Sequence, residues 1–413
     1  MRTTSRGLVV AAAIGAVLAS ACGESPPDVV VQHVSMQLTD SSTGFGVSLV
    51  EHLLAEPGAG NVFVSPLSAT LMLSMAASAA HGDTRAAMLK VLGLDPATDP
   101  SAEARLTIQR LAQSDSNVQL ELAQAVWAQQ GLTLSPAYVA TLRNDYSAQI
   151  ANLDFASPAA PAVVNQWVDA ATHHKITQLV DQFDPGTVAF LVNATYFHAL
   201  WAAEFNTVGE PIDFHTFAGQ TVSVSMMRRS ESVTELQTPE LTAELLPYKG
   251  GRFSAVLLLP RQILSPAAFA DFLNGAVWAQ TLQYLHHAVG PSLGGHCKAW
   301  SGAPDVDVAC NGTLVMPKFK LDYGVDLTKT LAAMGMPIPG AELPEICSGC
   351  FLTTVIQKTY LQVDEKGTTA AAATGGMVAT ALRIPTIVDH PFALALIDNA
   401  TDAPIFLGAI GNL

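Results

Sequence analysis

Near the C-terminus, between two strand-like segments, lies a run with no side chain large enough to anchor a core: Gly367-Thr-Thr-Ala-Ala-Ala-Ala-Thr-Gly-Gly376. Upstream of it, Val355, Ile356, Tyr360, Leu361 and Val363 read as a buried strand, and downstream so do Ile384 to Val388 and Phe392 to Ile397. Taken alone, a Gly/Thr/Ala run is a flexible surface linker. A linker usually joins domains, however, whereas this run has strand on both sides. Gly367 can bend at either sign of φ. In an extended chain Thr368, Ala370, Ala372, Thr374 and Gly376 share one face, which is small enough to slide between two existing strands. The residues by themselves leave both readings open, a plain linker and an insertable loop.

The rest of the chain supports one large folded body. Of 413 residues, 49% are apolar and 13% charged, which is ample for an extensive core and excludes wholesale disorder. A net charge of −15 argues against a general nucleic-acid or anionic-membrane binder. Residues 1–22 read as an export signal, with Arg2 and Arg6 before the apolar run Leu8 to Leu18, a run too short to span a bilayer comfortably. Leu18-Ala-Ser-Ala-Cys22 resembles a bacterial lipobox, in which Cys22 is lipidated and becomes the mature N-terminus; ordinary cleavage nearby, leaving Cys22 free, is the alternative. Residues 23–40, with Pro26 and Pro27, then form a tether, and 41–413 the folded domain. Four cysteines remain, Cys297, Cys310, Cys347 and Cys350, and an even number in an exported chain suggests two disulfides. Cys347-Ser-Gly-Cys350 also has zinc and redox spacing, and His296 stands beside Cys297, but no second CxxC or βαβ context accompanies them.

Read in order, helices are expected over Ser42 to Ala55, Leu67 to Ala80, from Asp83, over Pro136 to Tyr146 and over Ala162 to Leu179. Strands are expected over Asn117 to Ala128, Ile150 to Phe155 and Phe190 to Phe197, the last buried on both faces, and in succession from Phe214 to Leu259. No repeat or linker divides these blocks, so one mixed α+β domain is the simplest account. No serine lies in a Gly-x-Ser-x-Gly context, and the pairs His173-His174 and His286-His287 lack the spacing of a zinc helix. With no phosphate loop or dinucleotide fingerprint either, the sequence offers no convincing enzyme site, and no cofactor or metal is expected.

Glu365-Lys-Gly-Thr-Thr-Ala-Ala-Ala-Ala-Thr374 resembles the reactive-centre loop hinge of inhibitory serpins, the serine protease inhibitor superfamily. Three further segments match in family order: Asn61-Val-Phe-Val-Ser-Pro-Leu-Ser68, Val192-Asn-Ala-Thr-Tyr-Phe-His-Ala-Leu-Trp201 and Met316-Pro-Lys-Phe-Lys-Leu321. The resemblance implies a serpin fold of three β-sheets and eight to nine helices, with residues 365–385 as the exposed loop. It implies that Glu365, Gly367, Thr368, Ala370, Ala371, Ala372, Ala373 and Thr374 are the hinge, and that Ser65, Ser68, Asn193, Trp201 and Gln357 lie where the sheet opens. Many serpins carry a histidine where this chain has Gln357, so pH sensitivity there should be lost. Seventeen residues counted from Glu365 place the scissile bond at Ala381–Leu382; a register after Arg383 competes.

The family path also implies that Cys297 pairs with Cys310 and Cys347 with Cys350, and that residues 290–311 are a stapled surface insertion. Function follows the same resemblance: a suicide-substrate inhibitor of elastase-like or subtilisin-like serine proteases. The target protease is its partner, in a covalent complex, and the chain is expected to act as a monomer. It would stand in a bacterial envelope as a lipoprotein or be secreted, touching membrane only through an N-terminal lipid. The alternative is a non-inhibitory serpin acting as scaffold or carrier; such members typically have bulky, charged or Pro residues in the hinge, and Gly367 to Thr374 has none. The basic polysaccharide-binding helix of some serpins has no counterpart.

Overall fold

The longest apolar runs become strands buried along their whole length, because both faces of the sheet they form are covered. In the computed structural model, which describes residues 36–112, 117–231, 233–290, 293, 297–301, 303–310, 312–368 and 384–413, β11 (Phe253–Pro260), β20 (Phe392–Asp398) and β21 (Ala403–Ile410) are buried at every position. With β1 (Val62–Val64), β10 (Leu241–Pro247), β9 (Thr234–Gln237) and β12 (Asp307–Cys310) they make a seven-stranded sheet, ordered β1-β21-β20-β11-β10-β9-β12. A four-stranded sheet runs β19 (Thr386–Ile387), β13 (Leu314–Pro317), β8 (Met226–Arg229) and β5 (Asn206–Thr207). The six-stranded sheet runs β14 (Phe319–Asp326), β17 (Ile356–Val363), β18 (Gly367–Thr368), β4 (Ala189–Leu200), β2 (Val118–Gln129) and β3 (Gln149–Leu153). Two ribbons, β6 (Ile212–His215) with β7 (Thr221–Val224) and β15 (Ala341–Glu342) with β16 (Phe351–Leu352), complete the strands.

Nine helices are present among the described residues: α1 (Gln37–Leu54), α2 (Pro66–Ala77), α3 (Gly82–Val91), α4 (Pro100–Ala112), α5 (Pro136–Asn144), α6 (Ala160–Ala171), α7 (Pro266–Phe272), α8 (Gly275–Val289) and α9 (Thr328–Ala333). This is the three-sheet α+β architecture that the resemblance implies. Alternation along β2 and β4 gives the six-stranded sheet a core on each side. Val126, Ala128, Phe197 and Ala199 face the main core with α2, while Ala125, Trp127, Val192 and Ala194 pack with Val164 and Val168 of α6. None of the helices among the described residues is long and apolar enough to cross a membrane.

Several elements differ from the sequence reading. The helix expected to reach Leu179 ends at Ala171. There Thr172 donates its hydroxyl to Val168 O at 2.8 Å and accepts Ile176 N at 3.0 Å, and His173 and His174 adopt φ of 49° and 61°, turning the chain back. β4 is not buried on both faces: Tyr196 and His198 are only half-buried, since α6 covers part of the outer face. α1 starts at Gln37, so the end of the expected tether is helical. Ile384, read as a buried strand residue, is 89% exposed. The insertion is more than a surface loop, because its last residues form β12 and extend the seven-stranded sheet by pairing Asp307↔Gln237 through Cys310↔Thr234.

Cys297 is bonded to Cys310 and Cys347 to Cys350, with Cα separations of 5.6 and 5.3 Å. The first bridge closes the insertion onto the sheet edge, and the second lies beyond α9. Peptide mapping without reduction is expected to recover these two links. A Cys297–Cys347 or Cys310–Cys350 link would contradict both the pairing and the chain path.

Candidate functional site

Two strands of the six-stranded sheet, β17 and β4, are not joined to each other by any ladder among the described residues. β18 stands between them, antiparallel to both, with Thr368 opposite Val363 on one side and Ala199 on the other. β17 and β4 therefore run parallel on either side of one strand position, whose top is occupied by Gly367 and Thr368. Gly367 is there because nothing larger fits. A Cβ on it would stand 2.2 Å from Ala199 O and 2.8 Å from Leu200 Cα, and its φ is not in the left-handed region. The glycine expected to serve as a bend serves instead as a point of close approach between backbones.

The turn that delivers the hinge is built by Asp364. Its Oδ1 accepts Lys366 N at 3.0 Å and Gly367 N at 3.3 Å, while its own N donates to Gly367 O at 3.1 Å. Three donors from the segment between β4 and β5 grip the same turn: Trp201 N to Lys366 O at 2.8 Å, Trp201 Nε1 to Asp364 O at 3.0 Å and Phe205 N to Glu365 O at 2.7 Å. The Trp201 ring stacks on Tyr248 at 4.4 Å, and the Tyr248 hydroxyl lies 2.9 Å from the Thr368 hydroxyl. Burial pushes that phenol up, out of reach of neutral pH, so it stays a protonated hydrogen-bonding group. Arg229 lies 5.9 Å from the Trp201 ring centre and 5.5 Å from that of Phe205; burial brings its pKa down to about 10, which leaves it cationic at neutral pH.

Glu365 fixes the turn to the neighbouring sheet. Its carboxylate accepts Lys318 Nζ at 2.9 Å and the Thr207 hydroxyl at 2.8 Å. Burial alone would raise the carboxyl, but those two bonds outweigh it and hold Glu365 below the ordinary range. A depressed carboxylate contributes stability that is present above its unfolded pKa and lost as pH falls through the folded one. The expected outcome is that Glu365→Gln costs about 1 kcal/mol near pH 7, the value of a partly exposed ion pair, and that the gap between variant and parent closes on acidification below about pH 4. Thermal unfolding followed from pH 7 to pH 3 checks this. A gap independent of pH would show that the carboxylate's charge is not what holds the turn.

A second network lies lower down, where the first turn of α2 meets the sheet. Ser65 caps the helix, accepting Ser68 N at 3.4 Å, and donates its hydroxyl to Ile405 O at 2.6 Å. From β17 the Gln357 amide clamps Ser65 at two points, accepting its N at 3.0 Å and donating to its O at 2.9 Å. From β4 Asn193 accepts the Ser68 hydroxyl at 2.6 Å and the Thr195 hydroxyl at 3.1 Å. Ser65, Ser68, Asn193 and Gln357 thus form one chain of bonds tying α2 to both sides of the strand position. Trp201, Glu365, Gly367 and Thr368 form the other assembly above it. None of the four lower residues titrates near neutral pH, so this network is indifferent to pH in that range.

Ala370, Ala371, Ala372, Ala373, Thr374, Ala381 and Leu382 lie outside the described residues, as does Cys22. Sequence reasoning missed Asp364, which adjoins Glu365 in the hinge turn itself, and Tyr248, Arg229, Lys318 and Thr207, which lie in other strands or turns and approach the hinge only through the fold. Lys318 alone stood inside a quoted motif. Three histidines of the two His-His pairs have separate acidic partners: His173 bonds Glu121 at 2.8 Å, His174 Asp169 at 2.7 Å and His286 Asp402 at 3.1 Å, while His296 lies outside the described residues. Among the described residues no three His, Cys, Asp or Glu are grouped to hold an ion.

The sequence model of the family described as Serpin (serine protease inhibitor) matches residues 40–413. Leukocyte elastase inhibitor A of Mus musculus is 28% identical over 392 residues, spanning 91% of this chain and 99% of the relative. Iripin-3 of Ixodes ricinus is 30% identical over 397 residues, spanning 91% and 95%. Among solved structures, the native state of the thermophilic serpin tengpin superposes with a TM-score of 0.76 at 23% identity, covering 94% of this chain and 97% of that one. Thyroxine-binding globulin in complex with thyroxine superposes at 0.77 and 22%, covering 91% and 99%.

Proposed function

The chain belongs to the serpin family, and from that premise we propose that it is an inhibitory member, a suicide substrate that traps serine proteases. The observation that carries this reading is the seat of Gly367 and Thr368 between β17 and β4, the first step of a strand that the rest of the hinge is composed to extend. A target protease attacks the Ala381 carbonyl carbon with its serine Oγ. The bond to the Leu382 nitrogen breaks, the serine proton passes to that nitrogen, the new amine heads the C-terminal peptide that β20 and β21 keep in the fold, and Ala381 remains joined to the enzyme as an ester. The freed hinge then enters the strand position between β17 and β4, with Thr368, Ala370 and Ala372 on the inner face, and carries the acylated enzyme away before water resolves the ester. The chain is consumed and is not a catalyst.

Ser65, Ser68, Asn193 and Gln357 act in this account as the ties across which the sheet opens, and Trp201 as the packing at the point where insertion starts. A methyl at Ala381 suits a shallow specificity pocket, whereas a deep apolar one gains little from a group worth about 0.8 kcal/mol per CH₂. Elastase-like or subtilisin-like enzymes are the targets this favours, and the relatives named as elastase inhibitors support the protease class. The chain is exported, held at the envelope by a lipid on Cys22 or released, and acts as a monomer.

Incubation with elastase-like, subtilisin-like and trypsin-like enzymes tests the reading. The expected result is a complex that survives denaturing electrophoresis, releasing a C-terminal peptide that begins at Leu382. A peptide beginning at Ile384 would move the register to Arg383 and a trypsin-like target. Clean cleavage without any covalent complex would contradict inhibition.

A further inference from the structure

At the lower end of the same strand position the structure holds a cavity of about 640 Å³, within the range of small-molecule sites. Its walls come from Phe190 and Leu191 at the start of β4, Ile356 at the start of β17, Met72 of α2, and Phe183 and Ile346 from the connecting segments. The Cys347–Cys350 bridge braces one wall. The mouth is unusual for a protein surface. Seven large apolar side chains are exposed among the described residues, and two of them, Phe351 at 52% and Val188 at 36%, line this cavity. Exposed apolar groups gathered around a concavity mark a site for a ligand better than the same groups scattered.

The charge pattern narrows the ligand. Among the described residues that line the cavity, Asp184 is the one with a formal charge, and none is Lys, Arg or His. On a chain with net charge −15, an apolar chamber with a single carboxylate at its edge disfavours anions and complements a cation. The aromatic side chains of Phe183, Phe190 and Phe351 in the lining suit the same partner. We propose that this cavity binds a small amphipathic cation, an aromatic or aliphatic amine, with its apolar body among the Phe and Leu side chains and its ammonium toward Asp184.

Occupancy has a consequence that rests on the inhibitory reading above. Continuing the register Thr368↔Ala199 by ten residues sets Val378 opposite Ala189, and Ala189 lines this cavity. An amine in the cavity and a fully inserted loop therefore exclude one another, so the amine slows insertion and shifts the chain from inhibitor toward substrate.

The test uses three probes of one shape: 1-naphthylmethylamine, 1-naphthylmethanol and 1-naphthylacetate, measured by equilibrium dialysis against the whole protein. The expected result is saturable binding of the amine, weaker for the alcohol and weakest for the acid. Asp184→Asn, a surface change that leaves the walls intact, should weaken amine binding about fivefold, in line with a solvent-exposed charge pair. Loop-cleaved protein should no longer bind it. Absence of saturable amine binding, or equal affinity for all three probes, or indifference to Asp184→Asn, would overturn the site. Unchanged amine binding by cleaved protein whose melting point has risen would overturn the mutual exclusion. Cleaved protein that binds the amine and melts no higher than the intact chain would point to failure of the insertion reading, leaving the cation site supported.

Discussion

Thr368→Arg is expected to turn the chain from an inhibitor into a substrate. Thr368 is 1% exposed, sits between β17 and β4 and meets the Tyr248 hydroxyl at 2.9 Å. An arginine there would have to leave its guanidinium in water, which keeps the strand from seating, or bury it without a counter-charge at a cost of several kcal/mol. Arg229, already packed on the Trp201 and Phe205 rings next to Tyr248, would add like-charge repulsion. Even about 3 kcal/mol on the insertion barrier slows it on the order of a hundredfold, and hydrolysis of the acyl-enzyme then wins. Moles of inhibitor consumed per mole of protease inactivated should rise by an order of magnitude or more. Thr368→Val supplies the contrast: it keeps the shape and loses only the hydroxyl bond, worth about 1 kcal/mol, so it should still trap protease. If Thr368→Arg inhibits with unchanged stoichiometry, the seat of residue 368 between β17 and β4 is not where insertion starts.

What the sequence disclosed about this site and what it withheld have a common physical cause. The small-residue hinge, the Ser65-Pro66 helix start and the run through Asn193 to Trp201 are local patterns, each with its chemistry in adjacent residues. They were legible as local patterns, and of the hinge the structure describes Glu365 to Thr368. The partners that hold the hinge were not, because they are long-range: Tyr248 reaches Thr368 across 120 positions and Thr207 reaches Glu365 across 158. Gly367 shows the same limit in one residue. Its composition suggested a bend, but the need comes from the Ala199 carbonyl 2.2 Å from where a Cβ would be, a neighbour the local sequence does not name. The α6 end was misread because the apolar pattern continues to Leu179, whereas Thr172 and two left-handed histidines stop the helix at Ala171. β12 was hidden for a different reason, since a Gly/Pro/Ser-rich stretch gives little strand signal and its pairing is supplied by the free edge of β9.

Cleavage of the loop should stabilise the protein strongly. In the intact chain Gly367 and Thr368 are the two residues of β18, the strand that links β17 to β4. A cleaved hinge is free to extend that strand, adding backbone hydrogen bonds to both neighbours and burying the small face that begins at Thr368. If only a third of a seventeen-residue strand contributes about 1 kcal/mol per residue, the gain is about 6 kcal/mol, and a full complement gives about two to three times that. For a domain of this size such gains correspond to a rise in Tm of about 10 to 20 °C. Arrest of insertion, by Thr368→Arg for example, should abolish most of the rise while leaving cleavage itself intact. The most direct measurement is therefore a pair of thermal unfolding curves, one for the intact chain and one for the chain cut between Met377 and Leu382. A cut chain melting at least about 10 °C higher is the result this account predicts, and two chains melting at the same temperature would contradict it.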